Sequence, residues 1–232
     1  MRLTDHSELG DALWFEVGED LDRFSTNELC LITDIKCIWS TYLASAVDNQ
    51  LMRRYFSTLR AVSREHLELQ LSNVKFDNDD DVVMLGLLYM IFCIPLANAN
   101  SVNIDPKYFA LANNLEEFNA FSWGVLSWKA TRAATCNAVE NRLSLKRIPL
   151  KKADKVHYSI AGFPHALLAY AYESIPTIVG KFTTKYVEVI PRMLSWTSTD
   201  NVKFNAVMSA LTAVDKKRPK CFVMMPTNEE LK

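Results

Sequence analysis

Glycine is scarce, with six in 232 residues, and none sits in a phosphate-cradling loop: neither GxxxxGK[ST] nor GxGxxG occurs. Nucleotide binding through such loops is therefore unsupported. The same scarcity, with no second composition regime and no internal repeat, argues against a flexible linker. The five cysteines (Cys30, Cys37, Cys93, Cys136, Cys221) are odd in number and widely spaced, with no CxxC pair. Zinc sites draw on Cys/His pairs two to five residues apart, and the cysteines and histidines supply none, so no metal or other cofactor is expected. The opening MRLTDHSELGDAL is acidic and polar, unlike a secretory leader. The cysteines accordingly read as reduced intracellular thiols. Charge of one sign is lacking too: 26 basic against 27 acidic residues leave a net charge of −1, which argues against a strongly polyanion-binding chain.

A long hydrophobic run is nearly present. Val82 to Ile104 carries no charge, but its strongly apolar part ends by Ala97, Pro95 interrupts it, and Asp79–Asp81 precede it. A membrane span wants about 20 mostly apolar residues with basic or aromatic flanks. The segment reads instead as a core helix, Val82–Ile94, enclosed by the helices from Trp128 and from Ala166, and no membrane partner is expected.

What is present is helical periodicity with caps. Leu13–Val17 and Leu21–Phe24 flank Gly18-Glu19-Asp20 and predict a short hairpin. Ser25 and Glu28 form an S-x-x-E capping box, with Phe24 and Leu29 as its hydrophobic staple, and the helix should end near Thr33. Asp48 can cap a helix carrying Met52, Tyr55, Phe56 and Leu59. Ser63 can cap another through Leu67 and Leu71, although the alternation L-E-L-Q-L also suits a strand. Asp105-Pro106 starts a helix with proline at its first position. The stripe Trp128, Cys136, Val139, Leu143 marks a long amphipathic helix from Val125. Gly162-Phe163-Pro164 opens a helix over Ala166–Ile175, stopped by Pro176, and a last helix covers Asn201–Thr212. The predicted fold is mainly α: a single multi-helix domain over 11–212 with a short N-terminal β-hairpin, then a basic, less ordered tail over 213–232.

Four blocks carry a family resemblance: LWFEVGEDLDRFSTNELCLITDIKC (Leu13–Cys37), EEFNAFSWG (Glu116–Gly124), GFPHALLAYAYESIP (Gly162–Pro176) and IPRMLSW (Ile190–Trp196). Their order resembles the plant, transposon-associated family of unknown function DUF1985. That family usually has glycine where Asp34 stands, which implies a turn of altered shape here. It carries a glutamate at the position of Glu173 and an arginine at that of Arg192, which implies a compensating ion pair. A carboxylate in the last turn of an apolar helix opposes the helix dipole, and an arginine fork suits it. The aromatics Trp123, Trp128, Phe163, Tyr170, Tyr172 and Trp196 lie in or beside these blocks and read as core.

Members of the family often carry a downstream peptidase domain resembling SUMO-specific cysteine proteases. No cysteine here has the acidic-Cys-Gly context of that nucleophile, and the four histidines share no spacing with a candidate, so no catalytic residue is expected. Asp77 and Asp79–Asp81 read as a solvated helix N-terminus rather than part of a magnesium-binding carboxylate set. Two basic stretches remain. Arg142, Lys146, Arg147, Lys151, Lys152 and Lys155 form a basic patch, and Lys216, Lys217, Arg218 and Lys220 resemble a nuclear-localisation signal. The expected function is a non-catalytic, intracellular and nuclear protein-interaction domain of transposon-derived origin, with an unidentified protein partner. The alternatives are a nucleic-acid-binding module using the basic patch, and an accessory domain of a SUMO-protease-like protein lacking its peptidase part.

Overall fold

The computed structural model describes residues 2–4, 11–17, 20–38, 49–73, 75–76, 78–145, 161–199, 206–207, 209–210 and 222–230. In chain order these give strands β1 (Arg2–Thr4), β2 (Leu13–Val17) and β3 (Asp20–Phe24), then helices α1 (Thr26–Thr33) and α2 (Gln50–Phe56). Strand β4 (Val62–Ser63), α3 (Arg64–Asn73), α4 (Asp79–Cys93), β5 (Asn103–Ile104), α5 (Pro106–Ala112), α6 (Leu115–Ala120) and α7 (Trp123–Leu145) follow. The remainder is α8 (Pro164–Ser174), a 3-10 turn (Pro176–Ile178), β6 (Thr183–Lys185), a second 3-10 turn (Arg192–Ser195) and β7 (Trp196–Ser198). The class is mainly α, with eight α-helices and short antiparallel strand pairs among the described residues. The chain divides into two compact units, one of residues 1–37, 139–149 and 164–232, the other of residues 38–138 and 150–163.

In the first unit, β2 and β3 pair from Leu13↔Phe24 to Val17↔Asp20, so Asp20 belongs to the strand, and β1 adds a third strand on β2 that periodicity did not reveal. Leu13, Phe15 and Val17 alternate inward along β2, with Phe24 buried on β3. The capping box forms as read. The Ser25 backbone N–H donates to Glu28 Oε2 at 2.7 Å and the Asn27 N–H to Ser25 Oγ at 3.3 Å. Helix α1 ends at Asp34 in the left-handed conformation (φ 56°), its N–H closing on the Cys30 carbonyl at 2.8 Å. An aspartate therefore bears the conformation that glycine adopts without cost. Cys30 is not a reduced thiol: it forms a disulfide with Cys37, their Cα atoms 6.2 Å apart, because the αL turn folds the chain back alongside the helix end. Cys93 is a free thiol. Helix α8 packs on α1, and its Tyr170 ring stacks 4.9 Å from Phe24. The Tyr170 hydroxyl is shared between buried Asp22 Oδ1 and the Arg23 carbonyl oxygen. Trp196 stacks on Tyr172 at 5.8 Å.

In the second unit, α4 packs against α3 and α5. It is not enclosed as its apolar composition suggested. Leu85, Leu88 and Phe92 are buried, whereas Val83 and Met90 are more than half exposed, because the neighbouring elements cover only part of the helix surface. Nor is its acidic start wholly solvated. Asn78 caps it, accepting from the Asp80 N–H at 3.0 Å, while buried Asp81 holds Arg54 and accepts from the Tyr55 hydroxyl at 2.7 Å. That pair of bonds ties α2 to α4. The N-cap position of α2 is Asn49 rather than Asp48, which lies outside the described residues. L-E-L-Q-L is helical, within α3. Trp123 meets Phe118, Phe121 and Tyr108 in an aromatic cluster with centroids 4.6–5.7 Å apart, and Trp128 is wholly buried. Where the chain returns at residue 161, Gly162 takes φ 87° and donates its N–H to the Leu96 carbonyl at 2.6 Å. The next N–H, of Phe163, reaches Thr131 Oγ1 of α7 at 2.7 Å.

Candidate functional site

The end of α8 brings together the charges that the sequence singled out. Glu173 lies in its last turn, Lys185 ends β6, and Arg192 opens the second 3-10 turn after the cis Ile190–Pro191 bond. With Glu188, Val189, Ile190, Ser195, Met225, Thr227, Glu229 and Glu230 they line a cleft of about 480 Å³. The predicted Glu173–Arg192 ion pair does not form. Arg192 engages Glu230 through both arms of its fork, Nε to Oε1 and Nη2 to Oε2, each at 2.6 Å, and Nη2 also donates to the Met225 carbonyl at 2.6 Å. Glu173 instead accepts from Trp196 Nε1–H at 2.8 Å and faces Lys185 Nζ at 3.5 Å. The physical reason is supply: two cations face several carboxylates here, and the bidentate geometry goes to the acid that a turn of its own already orients.

That turn is Thr227–Glu230. The Thr227 N–H donates to Glu230 Oε2 at 2.7 Å and the Glu230 N–H to Thr227 Oγ1 at 3.4 Å, a reciprocal T-x-x-E box like that of Ser25 and Glu28. The parallel extends to the arginine, since Arg23 pairs with Glu28 at 3.0 Å. Sequence reading missed Glu230, although its T-x-x-E spacing was the available signal. Arg192 and Glu230 side chains are 14% and 6% exposed. The Arg192 hydrogen bonds hold the Glu230 carboxyl down at about 2, against an ordinary 4.5, and Glu230 in turn raises Arg192. Burial pushes Lys185 down, but Glu188 (2.9 Å away) and Glu173 outweigh it and its pKa is raised. Lys185 also lies 5.6 Å from the Trp196 ring centroid.

Residues 222–230 form one wall of this cleft. The Phe222 N–H donates to the Ser174 carbonyl at 3.0 Å, satisfying one of the carbonyls that the end of α8 leaves open. Part of the segment read from sequence as a basic tail therefore has fixed partners.

Elsewhere, Ser63 Oγ and His66 Nδ1 lie 3.1 Å apart, within reach for nucleophile chemistry. The Ser63 N–H, however, donates to Nδ1 at 3.0 Å and the His66 N–H donates to Ser63 Oγ at 3.4 Å, which is a capping box with histidine in the glutamate's place. Among the described residues no group of three or more His, Cys, Asp or Glu side chains could hold a metal ion, and no helix is long and apolar enough to cross a membrane. Lys146, Arg147, Lys151, Lys152 and Lys155 lie outside the described residues, as do Lys216, Lys217, Arg218, Lys220 and most of the helix predicted over 201–212. Arg142 falls on α7.

The model of the family described as Domain of unknown function (DUF1985) matches residues 5–134, more than half of the chain. The chain belongs to that family. The match takes in the Leu13–Cys37 and Glu116–Gly124 blocks and stops before α8, so the two later blocks and the Arg192 cleft lie beyond it. No curated protein and no solved structure matches the chain.

Proposed function

We propose that the chain is a non-catalytic protein-interaction domain of plant transposon-derived origin, acting in the nucleus. Family membership and the habitat that the resemblance implies support the origin, and the KKRPK stretch at Lys216–Lys220 supports the compartment. The observation that carries the interaction reading is the apolar rim of the cleft. Tyr186, Val187, Val189, Ile190 and Leu194 are all exposed, and Val189 and Ile190 line the cleft itself. Single exposed apolar residues are ordinary, whereas such a concentration around a concave, charged site marks a contact surface for another protein.

The test is proximity labelling and affinity capture with the wild-type chain beside a Tyr186→Ser, Leu194→Ser variant. Because these side chains are exposed, the variant should keep its fold. Its bound proteins should be lost selectively, and an unchanged set would overturn the reading. The basic patch Arg142–Lys155 supports a competing nucleic-acid reading. A gel shift that weakens steeply between about 50 and 200 mM salt would favour that alternative.

A further inference from the structure

The Arg192 groove holds residues 222–230 by contacts of two kinds. Two are to main chain: the Phe222 N–H donates to the Ser174 carbonyl, and Arg192 Nη2 donates to the Met225 carbonyl. These bonds ask only for an extended backbone. The third is the fork on Glu230, which asks for a carboxylate presented by a T-x-x-E turn. The side chains of the segment add little. Phe222, Val223 and Met225 are 57%, 81% and 71% exposed and Met224 is half-buried, so the segment sits down chiefly through its backbone and one acid while most of its apolar side chains face outward. Any extended chain with a carboxylate at that spacing offers the groove the same bonds, and one that also inserted apolar side chains would bind better.

We propose that the groove between the end of α8 and Arg192 is a recognition site for an extended segment of a partner protein ending in an [ST]-x-x-E turn, and that residues 222–230 are its displaceable internal occupant. This rests on the interaction reading above and names the chemistry of the partner. The internal copy makes the site self-competing: a partner must first displace it, so any change that loosens the Glu230 latch increases binding in trans.

The experiment uses the full chain and a fluorescein-labelled peptide of residues 222–232, read by anisotropy. Glu230→Ala and, separately, Thr227→Ala weaken the internal latch and leave Arg192, Lys185 and the end of α8 unchanged. Each should bind the peptide at least about tenfold more tightly than the wild-type chain. Arg192→Ala in the Glu230→Ala background, or Gln in place of Glu at position 230 of the peptide, should reverse that gain, and Arg192→Lys should restore it only in part. Hydrogen exchange of the 222–230 amides confirms that the latch is released, and protection in α8 confirms the fold. Equal binding by the wild-type and latch-weakened chains overturns the proposal, as does binding indifferent to Arg192. Loss of partner capture in the apolar-rim variant with peptide binding intact supports both readings. Capture intact in that variant while the peptide binds sinks only the apolar rim, and capture lost without peptide binding sinks only the groove.

Discussion

Gly162→Ala should be among the most damaging single substitutions in the second unit, and three glycines together isolate the reason. At Gly162 φ is 87°, and an added Cβ would overlap the backbone nitrogen, Cα and hydroxyl of Thr131. Thr131 is wholly buried on α7, with its hydroxyl donating to the Ser127 carbonyl at 2.7 Å, so it has no room to retreat. The 161–163 segment must move instead. That stretches the Gly162 N–H bond to Leu96 and the Phe163 N–H bond to Thr131, leaving buried donors short of partners. A left-handed alanine costs about 1–2 kcal/mol and the compromised buried bonds about 2–3 more, so we expect a loss of about 3–5 kcal/mol. Gly180 has φ 79° but nothing within 4 Å of a Cβ, so Gly180→Ala should carry only the strain, about 1–2 kcal/mol. Gly86 sits inside α4, again with open space around a Cβ, and Gly86→Ala should stabilise by about 0.5–1 kcal/mol through helix propensity. Urea unfolding of the three variants beside wild type, with m-values checked for change, gives the order directly. If Gly162→Ala loses under about 1 kcal/mol, or no more than Gly180→Ala, the close approach of this segment to α7 is refuted.

Leu88→Ala should cost about 2–5 kcal/mol by leaving a cavity in the buried face of α4, whereas Val83→Ala on its exposed face should cost under about 0.5; equal losses in urea would mean the helix is oriented otherwise. Tyr170→Phe should cost about 1–3 kcal/mol by stripping the buried Asp22 carboxylate of its hydroxyl donor, measurable as a fall in melting temperature that Asp22→Asn partly relieves in the double variant. Glu230 is held at about 2, below its ordinary 4.5, so its contribution is complete above pH 4.5 and lost as pH falls toward 2. The protection of the 222–230 amides, corrected for their intrinsic exchange rates, should fall across that window in wild type but not in Glu230→Gln. The Cys30–Cys37 bond closes a short loop, so Cys30→Ser should cost about 2–3 kcal/mol, and a non-reducing peptide map that finds both thiols free would refute the bond.

The elements legible in the sequence are those governed by neighbours a few residues apart. The capping box at Ser25–Glu28, the proline start of α5 and the hairpin β2–β3 depend on spacing alone, and each forms where the spacing places it. Strand β1 was not legible, since three residues carry no usable period and β1 exists by pairing with β2. The disulfide was hidden for a related reason. Cys37 stands seven positions after Cys30, a spacing without a motif, and only the left-handed turn at Asp34 brings the two together. Burial along α4 needed information on coverage: its sequence, uncharged from Val82 onward, says that the helix can be buried anywhere along that stretch, not which residues its neighbours reach.

The cleft shows where local reasoning stops. That Arg192 would grip a carboxylate in its fork follows from its chemistry, and that Glu173 needed a donor follows from its place at a helix end. Their mutual pairing did not follow, because each had a better offer elsewhere. Glu173 is satisfied by the indole of Trp196, a neutral donor fixed by stacking on Tyr172, together with Lys185 at longer range. Arg192 is satisfied by an acid 38 residues away whose turn orients its carboxylate before the arginine arrives. Pre-orientation lowers the entropy lost on pairing, so a turn-held glutamate outcompetes one on a flexible side chain at equal distance. The same logic applies to the groove: an acid delivered by a preformed [ST]-x-x-E turn is what Arg192 selects, whether the turn belongs to this chain or to another.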